Sequence, residues 1–279
     1  MAAIGIPQLD GVGRCLVMGI VNVTPDSFSD GGRFLTPDDA VAAGLQMLRD
    51  GADLLDVGGE STRPGATPVT ADEELARVLP VIAALGAAGA IVSVDTQRAA
   101  VAEACVRAGA RIVNDVSGGA ADPAMAGLVA DLGVPFVCMY STGPAASSSE
   151  PSVAAALPQV LDGLRERAGA LLEAGVRPDR IVVDPGLGFA FAGAPNWEIL
   201  AGLERIKGLG FPVLVGASRK RFLASVCHTA KTDPTSRDYA TSAVTAWAAM
   251  CGAWAVRVHN VGPNAVASRV AAAIRESKD

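Results

Sequence analysis

The stretch IVSVDTQRAAVAEACVRAGARIVNDV, residues 91–116, contains one complete structural unit of the chain. Ile91–Asp95 is a short apolar run closed by a carboxylate. An Ala-rich segment follows, stops at Gly109, and gives way at once to a second run, Arg111–Val116. β-branched residues favour extended backbone, whereas the Ala-rich segment favours a helix. The glycine supplies the turn that ends that helix.

Working outward, comparable runs occur at Cys15–Val23, Leu54–Gly58, Phe136–Met139, Ile181–Asp184, Pro212–Gly216 and Ala255–His259, each followed by a loop and a helical segment. Thr36-Pro37 and Asp122-Pro123 read as helix starts, and Gly51, Gly133 and Gly175 as helix stops. About eight β-loop-α units predict an α/β fold, a (β/α)8 TIM barrel. A doubly wound open sheet is the competing architecture, disfavoured because no G-x-G-x-x-G opens the first helix. Residues 1–14 read as a lead-in and 15–279 as one barrel domain, with long loops after the first two strands at 22–37 and 59–70. A third loop, 141–151, is rich in Ser, Ala and Pro.

The 279 residues, half of them hydrophobic, suffice for one large core. A net charge of -6 disfavours nucleic-acid and anionic-membrane partners. The apolar stretch Ala243–Val256 is too short to span a bilayer, and MAAIGIPQLDGVGR lacks the pattern of a secretory signal. Cys15, Cys105, Cys138, Cys227 and Cys251 form no C-x-x-C pair and read as reduced thiols of a cytoplasmic protein.

Buried parallel strands should be apolar, so polar residues at their ends need a reason. Here they are Asn22, Asp56 with Glu60, Asp95, Asn114 with Asp115, Asp184, Ser218 with Lys220, and Arg257 with His259. Any single one reads equally well as a loop or helix cap, but the whole set falls on the face where barrel active sites lie. Asp95, Asn114 and Asp184 suit a flat heterocycle with several N–H donors, because a carboxylate pairs two adjacent donors at once. Metal binding by the same acids ranks lower, with only two histidines in the chain. Ser218-Arg219-Lys220-Arg221 and Arg257 with His259 suggest a phosphate site after strands seven and eight; a solvated charge run is the alternative. His228 reads as incidental. Neither G-x-S-x-G, a P-loop nor a Cys–His pair is present, which fits departure of a bound anion and attack by a second substrate.

These motifs resemble the dihydropteroate synthase family across nearly the whole chain. The matching segments are 22–32, 56–65, 93–96, 114–118, 184–189, 218–222 and 257–259. The resemblance implies that 6-hydroxymethyl-7,8-dihydropterin diphosphate condenses with 4-aminobenzoate, releasing pyrophosphate by a dissociative route. It implies catalytic roles for Asp95, Lys220 and Arg257. It further implies pterin diphosphate contacts from Thr62, Asp95, Asn114, Met139, Asp184, Phe189, Lys220, Arg257 and His259. An aminobenzoate site would use Thr62, Arg63, Pro64, Phe189, Ser218 and Lys220, with Mg²⁺ on Asn22. Asp56 and Glu60 are expected to order the second loop. Family members are usually homodimers, and the apolar helix Tyr239–Met250 is either a dimer surface or core-facing. The chain departs from the family pattern at Tyr140 (usually His), Phe191 (commonly Lys) and Asn260 (usually Asp), and Phe191 is expected near the pocket mouth. A pterin-dependent methyltransferase and a non-catalytic pterin-binding paralogue are the rival readings.

Overall fold

The structure, a computed structural model, describes residues 3–24, 36–61, 67–142, 155–227 and 233–277. Most of the first long loop, Thr62, Arg63 and Pro64 of the second, most of the third and His228 lie outside the described residues. The strands are β1 (Leu16–Asn22), β2 (Leu54–Gly58), β3 (Val92–Asp95), β4 (Ile112–Asp115), β5 (Phe136–Met139), β6 (Ile181–Asp184), β7 (Leu214–Val215) and β8 (Ala255–Val258). The helices are α1 (Pro37–Arg49), α2 (Ala71–Ala87), α3 (Ala99–Arg107), α4 (Met125–Leu132), α5 (Ala156–Glu173), α6 (Pro195–Ala201), α7 (Leu203–Lys207), α8 (Asp238–Met250) and α9 (Val261–Glu276).

All strand pairs are parallel, in the order β6-β5-β4-β3-β2-β1-β8-β7. The two outer strands meet through a parallel bridge between Val183 and Val213, which closes the ring into a (β/α)8 barrel.

The helix boundaries have local causes. Thr36 accepts from the Asp39 backbone N–H while Asp39 reaches back to Thr36, a capping box that starts α1 with Pro37 in its first turn. Gly133 ends α4 in the left-handed conformation at φ 63°.

Alternation along the strands sorts the core into two parts. Val57, Val94, Val113, Cys138, Val183, Val215 and Val256 pack in the layer beneath the helices. Leu16, Met18, Leu54, Ile91, Ile112, Val137, Val182, Leu214 and Ala255 form a separate cluster, the lower filling of the barrel. Ile4, Ile6, Leu9 and Trp254 join that second cluster. Residues 3–10 therefore cork the base of the barrel, held by Arg180, which donates to the Ile4 carbonyl at 2.6 Å. The sequence reading treated this segment only as a lead-in.

The helix α8 faces both ways. Thr241, Val244, Thr245, Ala248 and Ala249 are buried, whereas Tyr239 is 90% and Trp247 50% exposed. The five cysteines are free, and four are buried. Burial pushes the Cys15, Cys105 and Cys138 thiols up to about 12, so they are inert hydrophobes at neutral pH. Among the described residues, no helix is long and apolar enough to cross a membrane.

Candidate active site

Continuing the inward alternation one step up each strand replaces the apolar filling with polar groups. Leu54 is followed by Asp56, Ile91 by Ser93 and then Asp95, Ile112 by Asn114, Val182 by Asp184, and Ala255 by Arg257. Register places them side by side: Asp56 beside Ser93, Gly58 beside Asp95, Asp95 beside Asn114. The same parity separates Asn114 from Asp115. Asp115 accepts from the Ser117 and Gly119 backbone N–H groups, so it shapes the following turn.

Arg257 is the hub. Its Nε donates to Asp56 Oδ2 at 2.6 Å and its Nη2 to Asp95 Oδ2 at 2.7 Å, while Asn114 Nδ2 donates to the same Asp56 oxygen at 2.9 Å. Residues from β2, β3, β4 and β8 thus form one continuous array. Burial pushes the Asp95 carboxyl up to about 7; Arg257 opposes this, and the negative charges of Asp56, Asp115 and Glu74 add to it. Burial also works against the Arg257 guanidinium, but Asp56 and Asp95 outweigh it and hold its pKa above the ordinary value.

Asp184 and Lys220 form the second half of the site. Asp184 Oδ1 accepts from the Gly186 N–H at 2.7 Å. Gly186 sits at φ 69°, and a Cβ there would lie 1.8 Å from the Tyr140 carbonyl oxygen, so only glycine fits this turn. Lys220 donates to the Leu187 carbonyl, and its Nζ stands 4.5 Å from the centre of the Phe189 ring, a cation–π contact. Burial lowers Lys220 to about 8 against the pull of Asp184, and burial raises Asp184 despite Lys220. Gly216 passes close beneath both: a Cβ there would stand 3.4 Å from Asp184 Oδ2 and 3.9 Å from Lys220 Nζ.

Of the cations expected to gather after β7 and β8, the fold turns Arg219 and Arg221 away from the barrel mouth. Arg257 points into the barrel, where it pairs with Asp56 and Asp95. Arg219 is clamped by Asp238 through two bonds of 2.8 and 3.0 Å, and Asn260 donates to the same carboxylate at 3.2 Å. Arg219 is also the one non-glycine residue with positive φ among the described residues, at 59°. Arg221 is exposed. A run of like charges repels itself, so its members turn to separate partners. Ser218 and His259 do meet: Ser218 Oγ shares a 2.9 Å hydrogen bond with His259 Nδ1 and accepts from the His259 backbone N–H at 3.1 Å.

Two further expectations need correction. Asp56 does not order the second loop; it lies wholly buried inside the barrel. Glu60 alone has contacts suited to that task, through Arg98, which also binds the buried Glu74 and donates to the Val69 carbonyl at 2.8 Å. Arg98 so ties both stems of the loop to the end of β3. Phe191 is not a mouth residue. It is buried in the core, its ring centre 6.4 Å from that of Tyr140, and its carbonyl accepts from Asn196. Two of the three departures from the family pattern, Tyr140 and Phe191, thus pack against one another. Asn22 and Met139 end β1 and β5, with Met139 in register with Asp184 and Asn22 with Gly58. Among the described residues, no three His, Cys, Asp or Glu side chains are grouped to hold a metal ion.

Comparison with known proteins identifies the family. A family profile described as pterin binding enzyme matches residues 18–259. Dihydropteroate synthase of Mycobacterium leprae is 48% identical over 262 residues, covering 92% of each chain. The solved Xanthomonas albilineans dihydropteroate synthase with 4-aminobenzoic acid aligns with a TM-score of 0.87 at 45% identity, covering 96% of this chain and 94% of that one. The same enzyme in complex with 7,8-dihydropteroate aligns with a TM-score of 0.82 at 42% identity, over 96% and 95%. With the profile spanning the barrel from β1 to the end of β8, the chain belongs to the dihydropteroate synthase family of pterin-binding enzymes.

Proposed function

We propose that the chain condenses 6-hydroxymethyl-7,8-dihydropterin diphosphate with 4-aminobenzoate, forming 7,8-dihydropteroate and pyrophosphate. The observation that carries this reading is the inward polar array of Asp95, Asn114, Asp184, Lys220 and Arg257 at one end of the barrel. Carboxylate and amide oxygens there meet the ring N–H and amino groups of the pterin, and Met139 and Phe189 supply apolar contact for its faces. The C–O bond to the diphosphate breaks first, with its electron pair leaving on the pyrophosphate. Asp95 offsets the positive charge that develops on the pterin, and the aminobenzoate nitrogen then attacks the methylene carbon and loses a proton. Arg257, His259 and Ser218 are assigned to the diphosphate side. Lys220 and Ser218, with Thr62, Arg63, Pro64 and Phe189, are assigned to aminobenzoate.

Asn22 fits Mg²⁺, which keeps waters and takes few protein oxygens when substrate phosphates supply the rest; an all-protein cage is not formed by the described residues. Bound beside Asn22, Mg²⁺ would offset charge on the departing pyrophosphate.

The test is pyrophosphate release from both substrates with Mg²⁺. Turnover is expected, and pterin binding without turnover would overturn the synthase reading in favour of a non-catalytic binder. The rate should also titrate twice. Asp95 must be ionised, so kcat/KM for the pterin should fall about tenfold per unit below about pH 7; Lys220 must be charged, so it should fall again above about pH 8. A flat profile from pH 6 to 9 would remove both assignments.

A homodimer through α8 and α9 is part of the same reading. Tyr239 and Trp247 on α8, and Val266, Val270 and Ile274 on α9, are large apolar side chains left exposed on two packed helices. Trp247→Glu should convert a dimer to a monomer by light scattering; an unchanged mass would place any interface elsewhere. Free, buried thiols suit a reducing compartment, and we assign the protein to the cytoplasm.

A further inference from the structure

We propose that Asp56 is a positioning residue for the pterin, fixing the amide of Asn114 so that its carbonyl oxygen faces the ring and holding Arg257 against Asp95. This rests on the proposed function, because the pterin is its ligand. Asp56 is fully buried, and one of its oxygens accepts from both Asn114 Nδ2 and Arg257 Nε. Asp56 Oδ2 already accepts from the Arg257 guanidinium, so it is the NH₂ of Asn114 that points to it, and the Asn114 oxygen is left for a donor on the ligand. Without that anchor the amide is free to reverse, presenting a donor where the pterin also has donors. The other Asp56 oxygen and the Ser93 hydroxyl, in register on β3, are buried with no hydrogen-bond partner among the described residues. All positioning therefore passes through a single Asp56 oxygen.

That single oxygen makes the role separable from charge. Asp56→Asn keeps an acceptor at the same place, whereas Asp56→Ala removes it. Pterin diphosphate binding, measured by calorimetry, should stay within about threefold of wild type in Asp56→Asn and weaken at least about tenfold in Asp56→Ala. The aminobenzoate KM should move less than about twofold in either variant, since Asp56 touches nothing on that side.

The charge readout is the acid limb of pterin binding. Asp95 feels the charges of Arg257 on β8, Asp56 on β2, Asp115 on β4 and Glu74 on α2, and Arg257 in turn feels Asp184 on β6. Removing one negative neighbour makes Asp95 easier to ionise, so in Asp56→Asn the limb should shift to lower pH. A merely structural role would weaken pterin binding and raise the aminobenzoate KM together.

Wild-type affinity in Asp56→Ala would overturn the proposal, as would equal loss in both variants or a matching rise in the aminobenzoate KM. If Asp56→Ala fails to fold, a wild-type complex with the pterin decides: Asn114 Nδ2 still on Asp56 and its oxygen on the ring supports the assignment, and a reversed amide sinks it. A wild-type protein that binds pterin but releases no pyrophosphate would remove the synthase reading and leave the positioning claim standing.

Discussion

Arg257→Ala is expected to destabilise the fold by about 3–5 kcal/mol at pH 8, read from urea unfolding, because it leaves the buried Asp56 and Asp95 without their shared cation. The sign with pH follows from the carboxylates. In the variant the folded Asp95 pKa rises further above its wild-type value of about 7, so the charge penalty relative to wild type is absent at acid pH and grows as the pH climbs past that value. The gap to wild type should therefore stay level below about pH 7, where Asp95 keeps its proton in both proteins, and widen from pH 7 to pH 9. A gap of equal size throughout would mean that lost packing, not unpaired charge, is responsible.

Lys220→Ala is expected to lower kcat/KM about 10²–10³-fold, with little change in thermal midpoint. Its ammonium is confined by the Leu187 carbonyl, the Phe189 ring and Asp184, so it is already aimed and needs no reorganisation when charge develops. Burial that lowers its pKa to about 8 works against the fold, and this offsets part of what its contacts contribute. Activity lost with stability kept is the signature of such a group. Near-wild-type kinetics in Lys220→Ala would show that Asp184 and the ring act without it.

Much of this was legible along the chain. The eight apolar runs and the glycines that end the helices depend on backbone propensity and on period-two burial, both local properties. Asp95, Asn114 and Asp184 stood out because a polar side chain inside a buried strand costs energy unless something pairs with it. The errors were all matters of partner choice. Asp56 was assigned to a loop, though stepping by two from Leu54 places it inside the barrel; the missing information was that Arg257, 201 residues away, arrives opposite it. Arg219 looked like one of several phosphate ligands until the fold set Asp238 beside it. Phe191 looked like a lost charge, yet its ring finds Tyr140 across a distance that no spacing in the sequence announces. The cork formed by Ile4, Ile6 and Leu9 was missed for a plainer reason: it has neither helical nor strand periodicity.

The neighbour of β1 has a consequence for the order in which the molecule can assemble. β1 pairs with β2 on one side and with β8 on the other, and Leu16 N–H donates to the Trp254 carbonyl. During synthesis, one edge of β1 must wait for residues 255–258, a delay of roughly 10–50 s at ordinary elongation rates. Until then the growing sheet keeps an open edge at each end, and the apolar base has no Trp254 to complete it. The nascent chain is most exposed to mispairing just before its last strand emerges, so the final quarter of translation is the window in which a chaperone would matter most.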